Sequence, residues 1–230
     1  MCEVGKIISK ISRVGFVFIN EWRPSLSTKQ VGQMLGSIVE IEKRLPRSGI
    51  ETVQTLKPRY SSDKLLNQYS GEFGVNSFPL HTDLAHWQIP PRYLLLRCIR
   101  GFKDVKTTIV DTSIFEDKIG KEILKFSMVT PRRKSRSQKI YPLPTKFKIG
   151  KDYGIRWDML FLQPINSVAR EVYRRMSSIS WSGSEIDSVC LEKAGDTLIV
   201  DNWRMLHGRS SVPANAMRRK IQRIYLDNIG

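Results

Sequence analysis

The chain has 230 residues, a length that suits one domain with a sizeable core, and we predict a single domain over residues 1–230. Hydrophobic residues make up 40% of it and charged residues 26%, which excludes a disordered or fibrous protein. The formal net charge of +16 favours anionic partners, although such a charge affects encounter and solubility rather than fold.

Helix and strand signals alternate through the N-terminal half. The opening residues predict a short helix that leads into a strand at GFVFIN (15–20). A longer helix is predicted across LSTKQVGQMLGSIVEIEKRL (26–45), because Ser27 and Gln30 form a capping-box pattern and apolar residues recur at helical spacing. Strands are then predicted at ETVQTL (51–56), RYLLLRCI (92–99) and KTTIVD (106–111).

The C-terminal half begins with a predicted helix that starts near Ser113, where Glu116 completes the capping pattern, and continues through DKIGKEILKF (117–126). FKIGKDYGIRWD (147–158) predicts paired strands, and INSVAREVYRRMSS (165–178) predicts a third helix. The final third predicts several strands with a turn at Gly195 and Asp196. Many strands with a few peripheral helices indicate a β-barrel or sandwich core.

Cellular location and redox state follow from what the sequence lacks. No apolar run approaches the roughly 20 residues that cross a bilayer, and Lys6 and Lys10 interrupt any signal-peptide core. We therefore expect a cytoplasmic protein without membrane association. Cys2, Cys98 and Cys190 lie far apart, so we expect reduced thiols, with Cys98 and Cys190 in the core.

Much of the basic charge lies in two segments, PRRKSRSQK (131–139) and MRRKIQR (217–223). The first is predicted to be a solvated loop, with an active-site lid and a polyanion contact as alternatives. No helix-turn-helix, zinc-finger or aromatic RNA-binding signature accompanies the charge, so nucleic acid is not the expected partner.

The stretch FPLHTDLAHW (78–87) contains two of the three histidines. On a strand, His81 and Asp83 would point to the same side, about 6.5 to 7 Å apart, which also fits a merely structural hydrogen-bonded pair. The remaining histidine, His207, follows a predicted strand. Two histidines and one carboxylate on one face of an octahedron suit non-haem Fe(II) and leave positions open for a co-substrate and oxygen.

A second polar pattern lies near the C-terminus. In RRKIQRIYLD (218–227), the residues Arg219, Ile221, Arg223 and Tyr225 share one face if the segment is a strand. Two guanidinium groups facing a core need anionic partners, because unpaired buried charge is unfavourable. A dicarboxylate co-substrate would suit them, since the arginine fork binds a carboxylate in bidentate fashion.

Together, HTD (81–83), GDTLIVDNWRMLHGR (195–209) and RRKIQR (218–223) resemble the Fe(II)- and 2-oxoglutarate-dependent oxygenases of the taurine dioxygenase, γ-butyrobetaine hydroxylase and clavaminate synthase group. The resemblance covers roughly residues 70 to 227, with the motifs in the same order. It implies a mainly β fold with peripheral helices and a double-stranded β-helix, or cupin-like jelly-roll, core.

The resemblance also implies a set of site residues. His81, Asp83 and His207 would bind Fe(II), and O2 would bind beside them. Arg219 would pair with the far carboxylate of 2-oxoglutarate, and Thr108 would donate a hydrogen bond to the same carboxylate.

Substrate contacts are predicted less directly. Arg223 matches an arginine near the other carboxylate of 2-oxoglutarate or near an anionic group of the substrate. His86 and Arg156 are candidate substrate contacts, and the alternative for His86 is a loop histidine packed beside Trp87. NQYSGEFG (67–74) is a candidate pocket wall, and Asn202 is expected to brace the loop that carries His207.

The implied activity is hydroxylation of an unactivated C–H bond in a small molecule, with release of succinate and CO2. The basic charge favours a carboxylate-bearing substrate, such as an amino acid or a biosynthetic intermediate. The presence of Asp83 favours oxygen transfer or desaturation over halogenation. Desaturation, oxidative demethylation of a nucleic acid and a non-catalytic metal-binding jelly roll are the alternatives, and the sequence leaves the oligomeric state open.

Overall fold

The computed structural model describes residues 3–45, 50–62, 68–132 and 141–230. Within these ranges the helices are α1 (Glu3–Val14), α2 (Thr28–Leu35), α3 (Ile41–Arg44), α4 (Tyr69–Glu72), α5 (Thr112–Ile119), α6 (Lys121–Phe126) and α7 (Ser167–Ser178). The strands are β1 (Phe16–Ile19), β2 (Gly36–Ile38), β3 (Gln54–Leu56), β4 (Phe78–His81), β5 (Tyr93–Arg100), β6 (Lys106–Asp111), β7 (Met128–Pro131), β8 (Leu143–Pro144), β9 (Lys146–Ile149), β10 (Asp152–Ile155), β11 (Leu162–Pro164), β12 (Asp187–Cys190), β13 (Thr197–Asp201), β14 (Met205–Arg209) and β15 (Lys220–Ile229).

Two antiparallel sheets form the body of the protein. The larger sheet has the order β1-β13-β5-β15-β2, with β3 also paired to β15, and the smaller has the order β12-β6-β14-β4. A buried apolar cluster takes residues from both sheets, including Leu96 and Tyr225 of the larger and Ile109 and Val189 of the smaller. The sheets therefore face each other across a shared core, as in a jelly roll.

Helices cover the outer faces of both sheets. Helices α1 and α2 pack on the larger sheet through a cluster that includes Ile11, Val31 and Ile224. Helices α5, α6 and α7 pack on the smaller sheet through a cluster that includes Phe115 and Leu206. Since side chains alternate along a strand, the residues next to Ile224 and Leu206 point inward, between the sheets.

The predicted single helix over 26–45 is wrong: α2 and the short α3 are separated by the strand β2. Ser27 does form the capping box with Gln30, but α2 ends at Leu35. Gly36 and the two residues after it instead form β2, which pairs with β15. A Cβ at Gly36 would lie 2.1 Å from the carbonyl oxygen of Asn228, so the close approach of these strands requires glycine and overrides the helical periodicity.

The helix predicted from Ser113 to Phe126 is present as two helices. Asp111, not Ser113, caps α5, because its side chain accepts a hydrogen bond from the Ser113 amide. Gly120 has a φ of 107°, a backbone conformation that ends α5 before α6 begins.

The other predicted elements are confirmed to within a few residues: α1, β1, β3, β5, β6, the β9–β10 hairpin, α7 and the C-terminal strands. Cys98 is buried, Cys190 is half-buried, and both are free thiols. No helix among the described residues has the length and apolarity to cross a membrane. Residues 133–139 of the basic segment lie outside the described residues.

Candidate active site

The structure brings His81, Asp83 and His207 together at one end of the space between the sheets. His81 is the last residue of β4 and pairs in register with His207 on β14, so their rings lie side by side with centroids 4.5 Å apart. Asp83 lies two residues beyond β4, and all three side chains are buried. One potential ligand atom from each residue lies within 4.8 Å of the others.

The turn that carries Asp83 is fixed by its backbone. Asn202 accepts a hydrogen bond from the Asp83 amide at 2.9 Å and donates one to the Asp83 carbonyl oxygen at 3.0 Å. The amide of Thr82 donates to the Trp157 carbonyl oxygen at 2.7 Å. Asn202 lies in the turn between β13 and β14, so these hydrogen bonds tie the loop that carries Asp83 to the segment that leads to His207.

The three side chains are arranged as metal ligands would be. The Nδ1–H of His81 can donate to the Pro79 carbonyl oxygen at 2.9 Å, which leaves the Nε2 lone pair directed at the cluster. Asp83 Oδ1 lies 3.4 Å from His81 Nε2, and Asp83 Oδ2 lies 3.7 Å from His207 Nε2. Ligands about 2.1 Å from one metal ion and at right angles to each other are separated by about 3 Å, so a small inward movement would bring these atoms into a coordination sphere.

Electrostatics favours the protonation states that metal binding needs at two of the three residues. Burial would raise the Asp83 pKa, but Arg223 and the two histidines hold that pKa far below its usual range. Burial and the neighbouring His81 lower the pKa of His207 to about 3, so its imidazole is neutral. Burial opposes protonation of His81, but the Asp83 carboxylate outweighs this effect and raises the His81 pKa.

Two residues of β15 contact Asp83 from the opposite sheet. Arg223 Nη1 lies 3.0 Å from Asp83 Oδ2 and 3.3 Å from Oδ1, and the Tyr225 hydroxyl donates to Oδ2 at 3.1 Å. Arg223 Nη2 also donates to Gln54 Oε1 on β3 at 2.6 Å. The positive charge of Arg223 thus compensates Asp83 and is positioned from β3.

Arg219 is buried, and its guanidinium has no hydrogen-bond partner within the described ranges. The residue is 7% exposed and its Nε is unsatisfied, while its backbone amide donates to the Ala216 carbonyl oxygen. Burial lowers its pKa to about 10, which leaves it charged at neutral pH. Its charge also acts on Arg209, whose pKa is lowered to about 10 by burial first and by Arg219 second. Arg219 and Arg209 are thus two neighbouring cations, and an anion beside them would offset the cost of burying their charge.

Thr108 lies on β6 opposite Gly208, the residue that follows His207. A Cβ at Gly208 would lie 2.9 Å from the Thr108 hydroxyl oxygen and 2.7 Å from the Phe78 carbonyl oxygen. Glycine at this position therefore lets β4 and β6 approach β14 closely, and it brings the Thr108 hydroxyl next to the strand that carries His207.

An aromatic wall covers His81. Tyr69 stacks on the His81 ring with centroids 4.2 Å apart, and Phe161 packs edge-on against Tyr69 at 5.3 Å. Burial and the nearby negative charge of Asp158 raise the Tyr69 pKa. The expectation that NQYSGEFG lines the pocket therefore agrees with the position of Tyr69.

Asp158 is a second buried carboxylate beside this wall. It is 2% exposed and has no ion-pair partner among the described residues. Its Oδ1 accepts hydrogen bonds from the amides of Leu160 and Phe161 at 2.8 and 2.7 Å. Burial raises its pKa, although His81 opposes this, so the group would gain from a cationic partner.

The two candidate substrate contacts, Arg156 and His86, differ in whether their hydrogen-bonding groups are already used within the protein. Arg156 is buried, and its guanidinium donates to the carbonyl oxygens of Pro144, Ala85, Trp87 and Gln88 at 2.6 to 2.9 Å. This corrects its assignment to the substrate, because Arg156 braces the loop after Asp83.

His86 keeps a free ring nitrogen. Its Nδ1 has no hydrogen-bond partner within the described ranges, and burial together with Arg156 lowers its pKa to about 4. Its ring lies edge-on to Phe161 at 6.1 Å, not beside Trp87 in a stacked pair. His86 lies outside the metal-ligand cluster, as the spacing from Asp83 predicted.

Sequence reasoning missed Asp158 and Gln54, and it named the segment that contains Tyr69 without singling out that residue. Asp158 ends the stretch that was interpreted as a hairpin, and no local pattern distinguishes it from an exposed acid. Strand periodicity did place Tyr225 on the face of Arg223, but it could not show that the hydroxyl reaches Asp83.

Solved structures with a similar fold were found. An asparagine oxygenase in complex with Fe(II), (2S,3S)-3-hydroxyasparagine and succinate matches with a TM-score of 0.68 at 15% identity, over 97% of this chain and 77% of that one. The non-haem iron oxygenase OrfP, in complex with Fe, succinate and (3S)-hydroxy-L-Arg, matches with a TM-score of 0.61 at 19% identity, over 94% and 76% of the two chains. PvcB, an Fe- and α-ketoglutarate-dependent oxygenase from an isonitrile synthetic pathway, matches with a TM-score of 0.63 at 13% identity, over 98% and 80%.

At these identities the likeness establishes the fold. The predicted class, a mainly β jelly roll with peripheral helices, is confirmed. No family model matches the sequence, and the search of curated proteins found no match.

Proposed function

We propose that this protein is an Fe(II)- and 2-oxoglutarate-dependent oxygenase that hydroxylates an unactivated C–H bond of a small amino-acid-like molecule. His81, Asp83 and His207 would hold the iron, and their ligand atoms within 4.8 Å of one another are the observation that carries the proposal. Two imidazoles and one carboxylate are the donor set of Fe(II) oxygenases that keep open coordination positions.

The unpaired Arg219 supports 2-oxoglutarate as the co-substrate. A buried guanidinium without a carboxylate partner is unfavourable until an anion arrives, and the far carboxylate of a dicarboxylate fits its fork. The hydroxyl of Thr108 would donate to the same carboxylate. Arg223 would lie near the other end of 2-oxoglutarate or an anionic group of the substrate.

Bound Fe(II), 2-oxoglutarate and O2 would supply oxidative decarboxylation, in which one oxygen atom of O2 enters succinate, the other enters the substrate, and CO2 leaves. The chain's own residues position and shield this chemistry. Tyr69 and Phe161 exclude water from the His81 side of the site, and Asn202 holds the turn of Asp83.

The substrate class follows from the charges beside the iron site. Asp158 has no cationic partner within the described ranges, so it would accept the ammonium group of an amino acid. Arg223 would bind a carboxylate. The asparagine and arginine oxygenases of similar fold hold hydroxylated amino acids, which supports an amino-acid-like substrate.

The test is succinate production by the purified protein. The metal-free protein is loaded anaerobically with Fe(II) and 2-oxoglutarate, mixed with single amino acids and related metabolites, and exposed to O2. We expect at least one compound to stimulate succinate release and to gain one oxygen atom by mass spectrometry. Loss of two hydrogens would indicate desaturation, and metal binding without any succinate would indicate a non-catalytic protein.

The matched variants are His81→Ala and His86→Ala, which change the same residue type five positions apart. His81→Ala should abolish metal binding and succinate production, because it removes a proposed ligand. His86→Ala should retain metal binding, since His86 lies outside the cluster. Succinate production by His81→Ala at the wild-type rate would refute the proposal.

A further inference from the structure

Tyr225 places a buried hydroxyl on the carboxylate of Asp83. The side chain is 1% exposed, and its hydroxyl donates to Asp83 Oδ2 at 3.1 Å. The ring belongs to the core between the two sheets, where Leu96 and Ile221 also lie. A hydroxyl inside such a core needs an acceptor, and here the acceptor is a residue of the proposed iron site.

The strand geometry makes this contact rigid. Tyr225 lies in the middle of the long strand β15 and pairs with Leu94 of β5 in the centre of the larger sheet. A tyrosine has only two side-chain torsions, and close packing holds both. The hydroxyl is thus fixed from the sheet opposite the one that carries His81 and His207.

The other donor to Asp83 is Arg223, which is also the residue proposed to lie near the co-substrate or the substrate. Arg223 contacts both Asp83 oxygens, at 3.3 and 3.0 Å, and its guanidinium also reaches Gln54. If Arg223 turns toward an anionic group of the substrate or co-substrate, it weakens or leaves Asp83. Tyr225 then remains as the donor that fixes the carboxylate.

The two oxygens of Asp83 are not equivalent. Oδ2 accepts from Tyr225, is the closer oxygen to Arg223 and lies 3.7 Å from His207 Nε2. Oδ1 faces His81 Nε2 at the shorter distance of 3.4 Å and accepts only the longer Arg223 contact. A hydrogen bond to one oxygen of a ligating carboxylate orients the other oxygen toward the metal.

We propose that Tyr225 is a positioning residue for the metal site, whose hydroxyl holds Asp83 Oδ2 so that Oδ1 is the oxygen offered to the metal ion. This inference rests on the proposed function. A merely structural role is the alternative, in which the hydroxyl is satisfied by Asp83 and has no effect on the metal.

The test removes only the hydroxyl. Tyr225→Phe keeps the ring and its packing, and its folding is checked by the melting temperature without metal. Calorimetric titration with Mn(II), which suits carboxylate-containing sites and does not oxidise readily, should show a dissociation constant about tenfold higher than that of the wild type. The visible spectrum of the Co(II) form should also change, because Asp83 is free to bind through both oxygens.

Tyr93→Phe is the matched control. Tyr93 is a buried tyrosine of β5 in the same sheet, but it packs in the cluster on the outer face, under α1 and α2. It should leave the Mn(II) dissociation constant and the Co(II) spectrum unchanged.

The outcomes separate this inference from the proposed function. If the wild type and Tyr225→Phe bind Mn(II) equally and their Co(II) spectra agree, the positioning role of Tyr225 is wrong and the iron site stands. If the wild type itself binds no Mn(II) or Co(II), the proposed function fails and this inference fails with it. Weakened binding by Tyr225→Phe alone, with Tyr93→Phe unchanged, supports the role of the hydroxyl.

Discussion

Arg97 and Arg219 are both buried, but they lie in two regions that differ in the hydrogen-bond acceptors around the guanidinium. Arg97, on β5, donates to the carbonyl oxygens of Trp22, Arg23, Leu26 and Gly195, and to the Thr197 hydroxyl, at 2.7 to 3.3 Å. Arg219, just before β15, has an orphaned Nε, and no side-chain hydrogen bond to it occurs within the described ranges.

Burial lowers the pKa of both arginines, so both carry the same kind of desolvation penalty. Around Arg97 the penalty is offset inside the protein, by carbonyl dipoles that converge from separate segments. Around Arg219 no hydrogen-bond partner among the described residues offsets it, and we propose that the partner is the bound co-substrate. We therefore interpret Arg97 as a residue that maintains the fold and propose Arg219 as a residue that binds a ligand.

The largest expected effect is on stability, at Arg97. Arg97→Met would leave several buried carbonyl oxygens without donors and should lower the free energy of unfolding by about 4 kcal/mol. Urea denaturation of the metal-free protein measures this change. The dissociation constant for 2-oxoglutarate, measured on the folded fraction, should not change. Equal stability of the variant and the wild type would contradict the scaffold role.

The same substitution at Arg219 should weaken 2-oxoglutarate binding without lowering stability, the opposite of the result expected for Arg97→Met. Arg219→Met removes an unpaired buried charge, so the metal-free protein should be as stable as the wild type or more stable. Its dissociation constant for 2-oxoglutarate, measured by anaerobic calorimetry with Mn(II) present, should rise about 100-fold, since a carboxylate loses its charged partner. Arg219→Lys keeps the charge but lacks the guanidinium fork, so its dissociation constant for 2-oxoglutarate should lie between those of the wild type and Arg219→Met. Unchanged 2-oxoglutarate binding by Arg219→Met would exclude Arg219 as the co-substrate anchor.

Sequence reasoning succeeded where local chemistry decides the outcome. The alternation of β15 correctly placed Arg223 and Tyr225 on one face, and the motifs correctly grouped His81 with His207, which lie on paired strands in the structure. It failed where a contact with backbone far away in the sequence determines the secondary structure. The helical spacing of residues 36–45 could not reveal that Gly36 meets Asn228, almost two hundred residues away.

Arg156 shows a second limit of the sequence. A basic residue near a predicted metal motif has the same sequence signature whether it binds a substrate or a backbone. Only the fold brings the four carbonyl oxygens of Pro144, Ala85, Trp87 and Gln88 around its guanidinium. Asp158 was missed for the converse reason, because nothing local shows that an acid at a strand end becomes buried beside the site.

Two buried aspartates extend the comparison to acidic groups. Asp196 accepts from the amide of Glu21 on Oδ1 and from the amides of Glu192 and Lys193 on Oδ2, at 2.8 to 2.9 Å. Both of its oxygens are used by the backbone. Asp158 receives backbone hydrogen bonds on Oδ1 alone, and the Tyr69 hydroxyl also interacts with its carboxylate. We expect Oδ2 to accept an ammonium group beside that hydroxyl.

The smallest expected effect therefore tests Asp158 against Asp196. Asp158→Asn keeps an oxygen for the two amides but removes the charge, so the KM for an amino-acid substrate should rise about tenfold, the typical value of one charge-assisted hydrogen bond. The dissociation constant for 2-oxoglutarate should stay the same. Asp196→Asn should lower the melting temperature and leave this KM unchanged, because it changes a turn of the scaffold. If Asp158→Asn had the wild-type KM for every amino acid that is turned over, the ammonium group would be bound elsewhere, and Asp158 would belong with Asp196 among the residues that maintain the fold.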